Sequence, residues 1–292
     1  MTEPPLWFVG VDGGATRCRA RVREAHGRAA AEAIGAAANV HVDFATAVAV
    51  MRAVVGDALD KAGVTPAGHS RVAVGFGLAG VSDAADVERV VAAFPGFARV
   101  SAANDAVTAC IGAHAGADGG LVIAGTGSAA IARVEGRETI VGGRGFTLGD
   151  DGSGAHVGLD ALRAATRASD GLAAESALTR DILAEFDNDV VALIRWARSA
   201  RPGDFGAYAP RVFAGAAEGD AVALTIVDSA ARAIGALARR ALALGAERVA
   251  LVGGVGEALR PYLDPDLAAL LTRAVHDATD GAILMAGGRV EN

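Results

Sequence analysis

The stretch that decides the fold is LWFVGVDGGATRCRARVRE, residues 6–24. It begins with an apolar run at 6–11, typical of a buried strand, and then passes through an aspartate and two glycines. Residues 17–23 alternate charged with small or apolar side chains, as a half-exposed strand does, and residues 29–36 suit a third strand. The chain therefore opens with a β-meander, not with the strand–helix–strand unit of a dinucleotide-binding fold.

A second strand–turn–strand unit begins near residue 119. Residues 121–124 and 129–134 have strand patterns, and Gly125-Thr126-Gly127-Ser128 forms the turn between them. Two units that each start in this way indicate an α/β protein with an internal duplication. We predict a first domain at 1–115, a second at 116–279, and a C-terminal helix at 280–292 that packs back on the first domain.

Periodicity outlines the remaining elements. Three further strands are expected at 71–77, 98–103 and 248–252. Several segments have helical patterns: 42–62, 83–93 with Ser82 or Asp83 as its cap, a helix running to 113, a helical region ending near 244 with a break at Pro202-Gly203, and a closing helix at 281–287.

Composition excludes several classes of ligand. The 292 residues carry a net charge of −7 with no basic cluster, which argues against nucleic acid or a membrane surface as the main partner. Cys18 and Cys110 form no CxxC pair, and the six histidines show no HxxxH spacing for zinc. Residues 1–5 lack a basic leader, and no stretch reaches membrane-spanning length, so we expect a cytoplasmic protein.

Two common catalytic motifs are missing. Lys61 is the only lysine, and no GxxxxGK[ST] sequence is present, which excludes a lysine-dependent phosphate loop. No GxSxG elbow supports a hydrolase nucleophile.

The first candidate site is the turn DGGATR, residues 12–17. Glycines let backbone amides approach a phosphate closely, and Thr16 adds a hydroxyl donor. Asp12 suits a magnesium ion, which binds few protein carboxylates and keeps its waters. An ordinary Asp-Gly hairpin is the alternative, both here and at residues 125–128. Two such turns facing one another across a cleft are what an actin-like kinase or chaperone ATPase architecture needs.

Asn104 and Asp105 stand where a strand meets a helix. A carboxylate there can accept the proton of a sugar hydroxyl as it attacks the γ-phosphate. The alternative is a helix cap, since Asn and Asp both favour that position. Both interpretations hold together if Asn104 is the cap and Asp105 the base.

Two glycine-rich segments complete the set. The glycine loop, GGRGFTLGDDGSG at residues 142–154, contains an acidic pair suited to hydroxyl binding, although a flexible interdomain hinge is the alternative. Gly253-Gly254-Val255-Gly256 follows a buried strand and can lie flat against a ring such as adenine.

The ordered motifs DGGATR, AANDA, AGTGS, GGRGFTLGDDGSG and LVGGVGE together resemble the N-acetylglucosamine kinase group of the BadF/BadG-type ATPase family, over residues 8–288. The resemblance implies two actin-like (ribonuclease H-like) α/β domains, with ATP and a sugar in the cleft between them. It also implies ATP and Mg²⁺ as cofactors, a homodimer, and transfer of the γ-phosphate to the sugar 6-hydroxyl.

The resemblance also implies roles for individual residues. Asp105 is the catalytic base, and Asp12 holds magnesium through water. The phosphate-binding residues are Gly13, Gly14, Thr16, Arg17, Gly125, Thr126, Gly127 and Ser128. Gly253 and Gly254 face the nucleoside, and the sugar-binding set is Asn39, Asn104, Asp105, Gly145 and Asp150.

One departure from the family pattern concerns the sugar. The family loop often reads GGWG, whereas this chain has Arg144. N-acetylglucosamine is the first expected acceptor, followed by glucosamine and glucose. Arg17 and Arg144 can equally be surface charges.

Three alternatives stay open. Residues 75–80 fit GxGxxG after a strand, as in a nicotinamide enzyme, but the helix starts after the third glycine. Relatives that activate dehydratases hold an iron–sulfur cluster with cysteines at a subunit interface, whereas Cys18 and Cys110 look like small buried residues. A non-catalytic sugar or ATP sensor would keep the fold without turnover.

Overall fold

The opening stretch forms the predicted meander, and two further strands extend it into a five-stranded sheet. The computed structural model describes residues 4–14 and 16–291. The order in the sheet is β3-β2-β1-β4-β5, with β2 antiparallel and β4 parallel to β1. The strands are β1 (Trp7–Gly13), β2 (Cys18–Glu24), β3 (Ala29–Gly35), β4 (Val72–Leu78) and β5 (Arg99–Asn104).

The helices of this half begin at capping side chains that the sequence displays. Asp43 and Asp83 each accept a hydrogen bond from the backbone N–H three residues on, so Asp83, not Ser82, caps the second helix. The elements are α1 (Phe44–Lys61), the 3₁₀ helix Pro66–Arg71, α2 (Ala84–Ala92) and α3 (Asp105–Ala113).

A second five-stranded sheet, read from β8, has the order β8-β7-β6-β9-β10, which is again third, second, first, fourth and fifth strand of its unit. This shared order supports the predicted internal duplication and confirms the α/β fold class. The strands are β6 (Gly119–Ala124), β7 (Ser128–Val134), β8 (Arg137–Gly142), β9 (Val249–Val252) and β10 (Leu271–Thr272).

Two of these strands were missed by the sequence analysis. β8 is mostly exposed and so has no apolar run, although Glu135 and Gly136 before it both have positive φ, as a hairpin turn requires. β10 is only 2 residues long and carries no periodicity.

The region predicted as largely helical is divided into several helices. Pro202, expected as a break, is the first residue of a short helix. Proline suits this position because the N–H group of the first helical residue has no partner within the helix. The elements are α4 (Gly154–Ser169), α5 (Ala177–Ala184), α6 (Val190–Ala197), α7 (Pro202–Gly206), α8 (Ala209–Ala217), α9 (Ala221–Ala243), α10 (Gly254–Leu259), the 3₁₀ helix Arg260–Tyr262 and α11 (Pro265–Ala268).

Within the described residues, α9 is the one helix long and apolar enough to cross a membrane by length and composition. The expectation that no stretch reaches that length was therefore wrong. Val227, Ile234 and Ala238 on this helix are buried, and it packs against α4 and α8. A core helix of a folded domain passes the same test of length and composition.

The last helix, α12 (Ala278–Met285), starts earlier and ends sooner than predicted. Gly287 takes φ +86°, and the N–H groups of Gly287 and Gly288 donate to Leu284 and Ile283. This αL cap stops the helix, because it satisfies the last carbonyls.

By proximity the chain divides into two compact units. Unit 1 comprises Met1–Gly119, Arg133–Glu138 and Ala274–Asn292, and unit 2 comprises Gly120–Ala132 and Thr139–Arg273. The domain limits 1–115 and 116–279 stay a prediction. Residues 1–3, 15 and 292, which belong to the predicted leader-free start, the DGGATR motif and the C-terminal segment, lie outside the described residues.

Candidate functional site

In unit 1, the candidate residues meet at one edge of the sheet. Gly13 pairs in register with Leu78 of β4, and Leu78 pairs with Asn104 of β5. The carboxyl ends of these parallel strands therefore lie side by side, which brings the residues around Asp12 and Asp105 together. Ligands of open α/β sheets bind at such edges.

The turn after β1 is built from backbone contacts. Gly14 N–H donates to the Arg17 carbonyl at 2.9 Å, and the Gly14 carbonyl accepts from Ala38 N–H at 3.1 Å. A Cβ on Gly13 would lie 2.6 Å from Leu78 Cδ2 and would displace that buried side chain, whereas a Cβ on Gly14 would come no closer than 3.6 Å to its neighbours. Thr16 and Arg17 are exposed. The turn thus leaves the side chains of Thr16 and Arg17 accessible.

Asp12 and Asp105 are the two carboxylates at this edge. Burial raises the pKa of Asp12, and the negative charges of Asp105 and Asp277 raise it further, against the lowering effect of Arg19 and Arg17. Burial likewise raises the pKa of Asp105, opposed by the Ala106 backbone N–H. Two carboxylates that resist ionisation together are suited to accepting a proton or sharing a cation.

Asn104 and Asp105 divide the two predicted roles between them. Asn104 caps α3: its Oδ1 accepts from Ala106 N–H at 3.0 Å, and its Nδ2 donates to the Val81 carbonyl at 2.9 Å. One oxygen of Asp105 accepts from the same N–H at 3.0 Å. The Asn104 amide therefore holds the strand–helix junction, and the half-buried Asp105 carboxylate beside it is oriented by backbone N–H groups at the start of α3.

Asn39 also has a structural task in unit 1. Its Oδ1 accepts from the N–H groups of His41 and Val42, at 3.0 and 3.3 Å, in a turn that leads towards α1. A Cβ on Gly80, which has φ +92°, would lie 2.6 Å from that oxygen. The side chain is thereby held next to the segment that follows β4.

The GxGxxG pattern has a packing explanation. A Cβ on Gly75 would lie 2.0 Å from the Ala282 carbonyl oxygen of α12, and one on Gly77 would lie 1.9 Å from Thr108 Oγ1 of α3. These glycines let two helices contact β4 closely. Since Gly80 supplies the following turn, the pattern gives no support to a dinucleotide site.

In unit 2, the turn 125–128 lies against the start of α4. The carbonyls of Gly125 and Thr126 accept from the N–H groups of Gly154 and Ala155, at 2.8 and 3.2 Å. Ser128 Oγ donates to the Asp151 carbonyl at 2.8 Å. These hydrogen bonds therefore attach the turn to the end of the glycine loop.

Asp150 lies in the glycine loop with φ +61°, a conformation that non-glycine residues seldom adopt. A Cβ on Gly127 would lie 2.8 Å from Asp150 Oδ2, so the carboxylate contacts the turn directly. Gly145 is exposed and has φ +81°. Strained residues of this kind cluster at ligand sites.

The Gly253-Gly254 turn lies next to the end of β6 in unit 2, where the turn 125–128 begins. Gly253 has φ +99°, and a Cβ on it would lie 2.2 Å from the Ala124 carbonyl, where β6 ends. A Cβ on Gly254 would meet nothing within 4 Å. Gly253 thus serves close packing, while Gly254 leaves an open backbone surface.

Sequence reasoning missed His156 and Phe146, whose rings contact one another, and His156 also lies 3.5 Å from the Asp151 carboxylate. It also missed Arg19, whose Nη2 lies 4.0 Å from Asp12 Oδ2 and 2.8 Å from Asp277 Oδ2. Arg19 and Asp12 lie opposite one another on β2 and β1, so the meander register was the signal that could have found this pair.

The cysteines offer no reactive thiol. Both are fully buried, and burial raises the pKa of Cys18 to about 12 and that of Cys110 to about 11. Such thiols stay protonated and inert. Among residues 4–14 and 16–291, no group of three His, Cys, Asp or Glu side chains is placed to hold a metal ion.

The model of the BadF/BadG/BcrA/BcrD ATPase family matches residues 9–286. The chain is 32% identical over 281 residues to the glucosamine kinase GspK of Vibrio cholerae, covering 96% of each chain. It is 27% identical over 180 residues to an N-acetylmuramic acid/N-acetylglucosamine kinase of Clostridium acetobutylicum, covering 61% of this chain and 59% of that one.

A similar solved structure comes from Chromobacterium violaceum and is titled as a candidate N-acetylglucosamine kinase. It superposes with a TM-score of 0.87 at 34% identity, covering 97% of this chain and 99% of the other.

Proposed function

This chain belongs to the BadF/BadG/BcrA/BcrD ATPase family, and from that premise we propose that it is an ATP-dependent kinase for the 6-hydroxyl of an amino sugar. The observation that carries the proposal is the sheet edge of unit 1, where Asp105 and Asp12 lie next to an open glycine turn. A proton acceptor beside donors for an anion is what phosphoryl transfer to an alcohol needs.

Asp105 is the proposed general base. Asn104 caps α3, so the carboxylate of Asp105 keeps acceptor capacity beyond its contacts with backbone N–H groups. Burial raises the pKa of Asp105, which makes its carboxylate a stronger acceptor for the hydroxyl proton. The residue would orient the attacking oxygen and remove its proton.

Gly13, Gly14, Thr16 and Arg17 are the proposed phosphate donors of unit 1, and residues 125–128 those of unit 2. Asp12 would hold Mg²⁺ through water; a site with few protein carboxylates fits an ion that is bound chiefly by nucleotide phosphates and water. When bound, the ion would neutralise charge on the phosphates. Gly253 and Gly254 would face the nucleoside.

Asn39, Asn104, Gly145 and Asp150 are the proposed sugar-binding residues besides Asp105. The Vibrio cholerae relative, matched over 96% of its length, is a glucosamine kinase, which favours free glucosamine, whereas the sequence motifs resemble those of N-acetylglucosamine kinases. Because Arg144 replaces the aromatic residue common in this loop, we keep both amino sugars as candidate acceptors. A cytoplasmic homodimer with no nucleic-acid or membrane partner completes the proposal.

The test is ADP release from magnesium-ATP with glucosamine, N-acetylglucosamine, N-acetylmannosamine or glucose, and with no sugar as the control. We expect turnover that depends on one of the two amino sugars, with the product identified as its 6-phosphate by mass spectrometry and NMR. Equal ADP release in every sample, or none, would contradict the sugar-kinase proposal and favour an activator or a sensor.

A further inference from the structure

The glycine loop of unit 2 is pinned at both ends by the turn 125–128. Near its start, Gly143 N–H donates to the Ser128 carbonyl at 3.1 Å, and near its end Ser128 Oγ donates to the Asp151 carbonyl at 2.8 Å. Between these points the backbone takes positive φ at Gly145 and Asp150. In the middle, the N–H groups of Leu148 and Gly149 donate to the Gly145 carbonyl, at 3.2 and 2.9 Å, which closes a turn within the loop but does not attach it to the rest of unit 2.

A histidine outside the loop holds its middle. His156, in the first turn of α4, has Nε2 2.9 Å from the Phe146 carbonyl oxygen. A carbonyl only accepts, so the proton lies on Nε2 and the ring donates to the loop backbone. On the other side of the ring, Nδ1 lies 3.5 Å from the Asp151 carboxylate, whose side chain is 80% exposed.

The Phe146 ring also packs against other aromatic rings of unit 2. It stacks on Phe205 of α7 with centroids 5.2 Å apart and meets the His156 ring edge-on at the same separation. Phe205 is buried and contacts Trp196 of α6. The loop is therefore anchored at Phe146 by a hydrogen bond from α4 and by stacking on α7.

In contrast to Phe146, its neighbours in the loop are exposed to solvent. Arg144 and Thr147 are exposed, and Leu148 is 83% exposed, so none of them fixes the loop by burial. Asp150, two residues further, must nevertheless keep its left-handed backbone and its place against Gly127. The Ser153 N–H donates to the Asp150 carbonyl at 3.0 Å, and the anchor at Phe146 restrains the segment of the loop that leads to it.

We propose that His156 is a positioning residue, which holds the glycine loop through the Phe146 carbonyl in the conformation that presents Asp150 to the sugar acceptor. The role towards the acceptor rests on the proposed function, in which Asp150 binds a sugar hydroxyl. The anchoring of the loop rests on geometry alone and has its own readout.

That readout is trypsin cleavage after Arg144, followed by mass spectrometry. In His156→Asn the shorter amide cannot reach the Phe146 carbonyl, whereas in His156→Gln the amide nitrogen can take the place of Nε2. We expect cleavage after Arg144 to accelerate on the order of 2- to 10-fold in His156→Asn, the effect of one lost hydrogen bond, and to stay at the wild-type rate in His156→Gln.

Two controls separate the anchor from general destabilisation. Cleavage after Arg240, exposed on α9, reports unfolding of unit 2 and should stay much slower than cleavage after Arg144 in every variant. Asp151→Asn removes only the exposed carboxylate 3.5 Å from His156 Nδ1 and should leave cleavage after Arg144 unchanged. Equal cleavage after Arg144 in wild type and His156→Asn would overturn the anchor, whatever the activity shows.

Kinetics test the role towards the acceptor. We expect His156→Asn to raise the KM for the amino sugar 2- to 10-fold, on the same hydrogen-bond basis, with the KM for ATP unchanged, and His156→Gln to restore it. An unchanged sugar KM alongside faster cleavage would overturn this role and leave a purely structural anchor. If the wild type shows no sugar-dependent turnover, the proposed function fails, and the cleavage comparison still decides the anchor.

Discussion

At the scale of single residues, the junction between β5 and α3 concentrates the chemistry of unit 1. Asn104 accepts a hydrogen bond from the backbone N–H of Ala106, the second residue of the helix, a task that an aspartate often performs. Asp105 follows as the first helical residue, where the helix dipole favours a negative charge. Burial outweighs that effect and raises the pKa of Asp105, as a base near neutral pH requires.

Replacing Asp105 by asparagine tests the base assignment. The amide keeps the contact with Ala106 N–H but cannot accept a proton, so we expect kcat to fall by roughly 100- to 10,000-fold. Nucleotide affinity, measured by calorimetry, should stay close to that of the wild type. A variant that keeps most of its turnover would show that another group removes the proton.

The pH dependence of the reaction tests the environment of the same carboxylate. Burial raises the pKa of Asp105, and the carboxylate is the active form, so activity should be lost as the pH falls through that raised value. In a kcat/KM profile the acidic limb should therefore have its midpoint above about 3.9, the ordinary aspartate value. A midpoint below that value would contradict a desolvated base.

At the scale of secondary-structure elements, glycines decide how closely helices approach the first sheet. Gly10 and Gly75 on β1 and β4 contact the backbone of α12, and Gly112 and Gly281 let α3 and α12 touch. These contacts place α3, which begins at Asp105, directly on the sheet whose edge carries Asp12. Precise helix packing therefore supports the geometry of the candidate site.

Gly75→Ala should destabilise the protein by about 1–3 kcal/mol, the usual cost of overpacking. Its Cβ would lie 2.0 Å from the Ala282 carbonyl oxygen, so the backbone of α12 must move. Gly56→Ala is the matched control: a Cβ there meets nothing within 4 Å, and alanine in the middle of α1 should stabilise by about 0.5–1 kcal/mol. Urea denaturation measures both, and equal effects would refute the packing argument.

At the scale of the whole molecule, an ionic network joins the two ends of the described chain within unit 1. Arg19 and Arg21, on one face of β2, pair with Asp277 at the start of α12, at 2.8 and 3.0 Å. Burial raises the pKa of Asp277, but the Asp280 backbone N–H and both guanidinium groups lower it more. Its contribution to stability is therefore present above about pH 4 and is lost as the pH falls through the lowered pKa.

The buried part of this network should matter most for stability. Arg23 and Asp280, with side chains 9% and 6% exposed, pair at 2.8 Å. Asp280→Asn leaves a buried guanidinium without its counter-charge, so we expect a loss of about 3 kcal/mol. Asp228→Asn, which breaks an exposed pair with Arg232 on α9, should cost about 0.3–0.5 kcal/mol. If thermal denaturation showed similar losses of stability for the two variants, the distinction between the buried and the exposed pair would be contradicted.

Prediction from the sequence succeeded where the signal is local. The meander, α1 and the cap of α3 follow from alternation, helical spacing and a capping side chain, each contained in a few residues. It failed for β8, whose exposed residues carry no apolar run, and for the end of α12, which a single glycine conformation decides. The roles of Asp12, Asp150 and the phosphate-binding turns stay predictions.

By itself the sequence determined the two meander-first α/β units, the candidate base and the absence of a lysine-dependent phosphate loop, because these follow from residue type and short-range order. Only the tertiary structure decided the Arg19–Asp277 pair, the anchoring of Phe146 by His156 and the raised pKa of Asp105. Each of these depends on groups distant along the chain or on burial. Charge, desolvation and ring stacking arise from neighbours in space, and local periodicity carries no information about those neighbours.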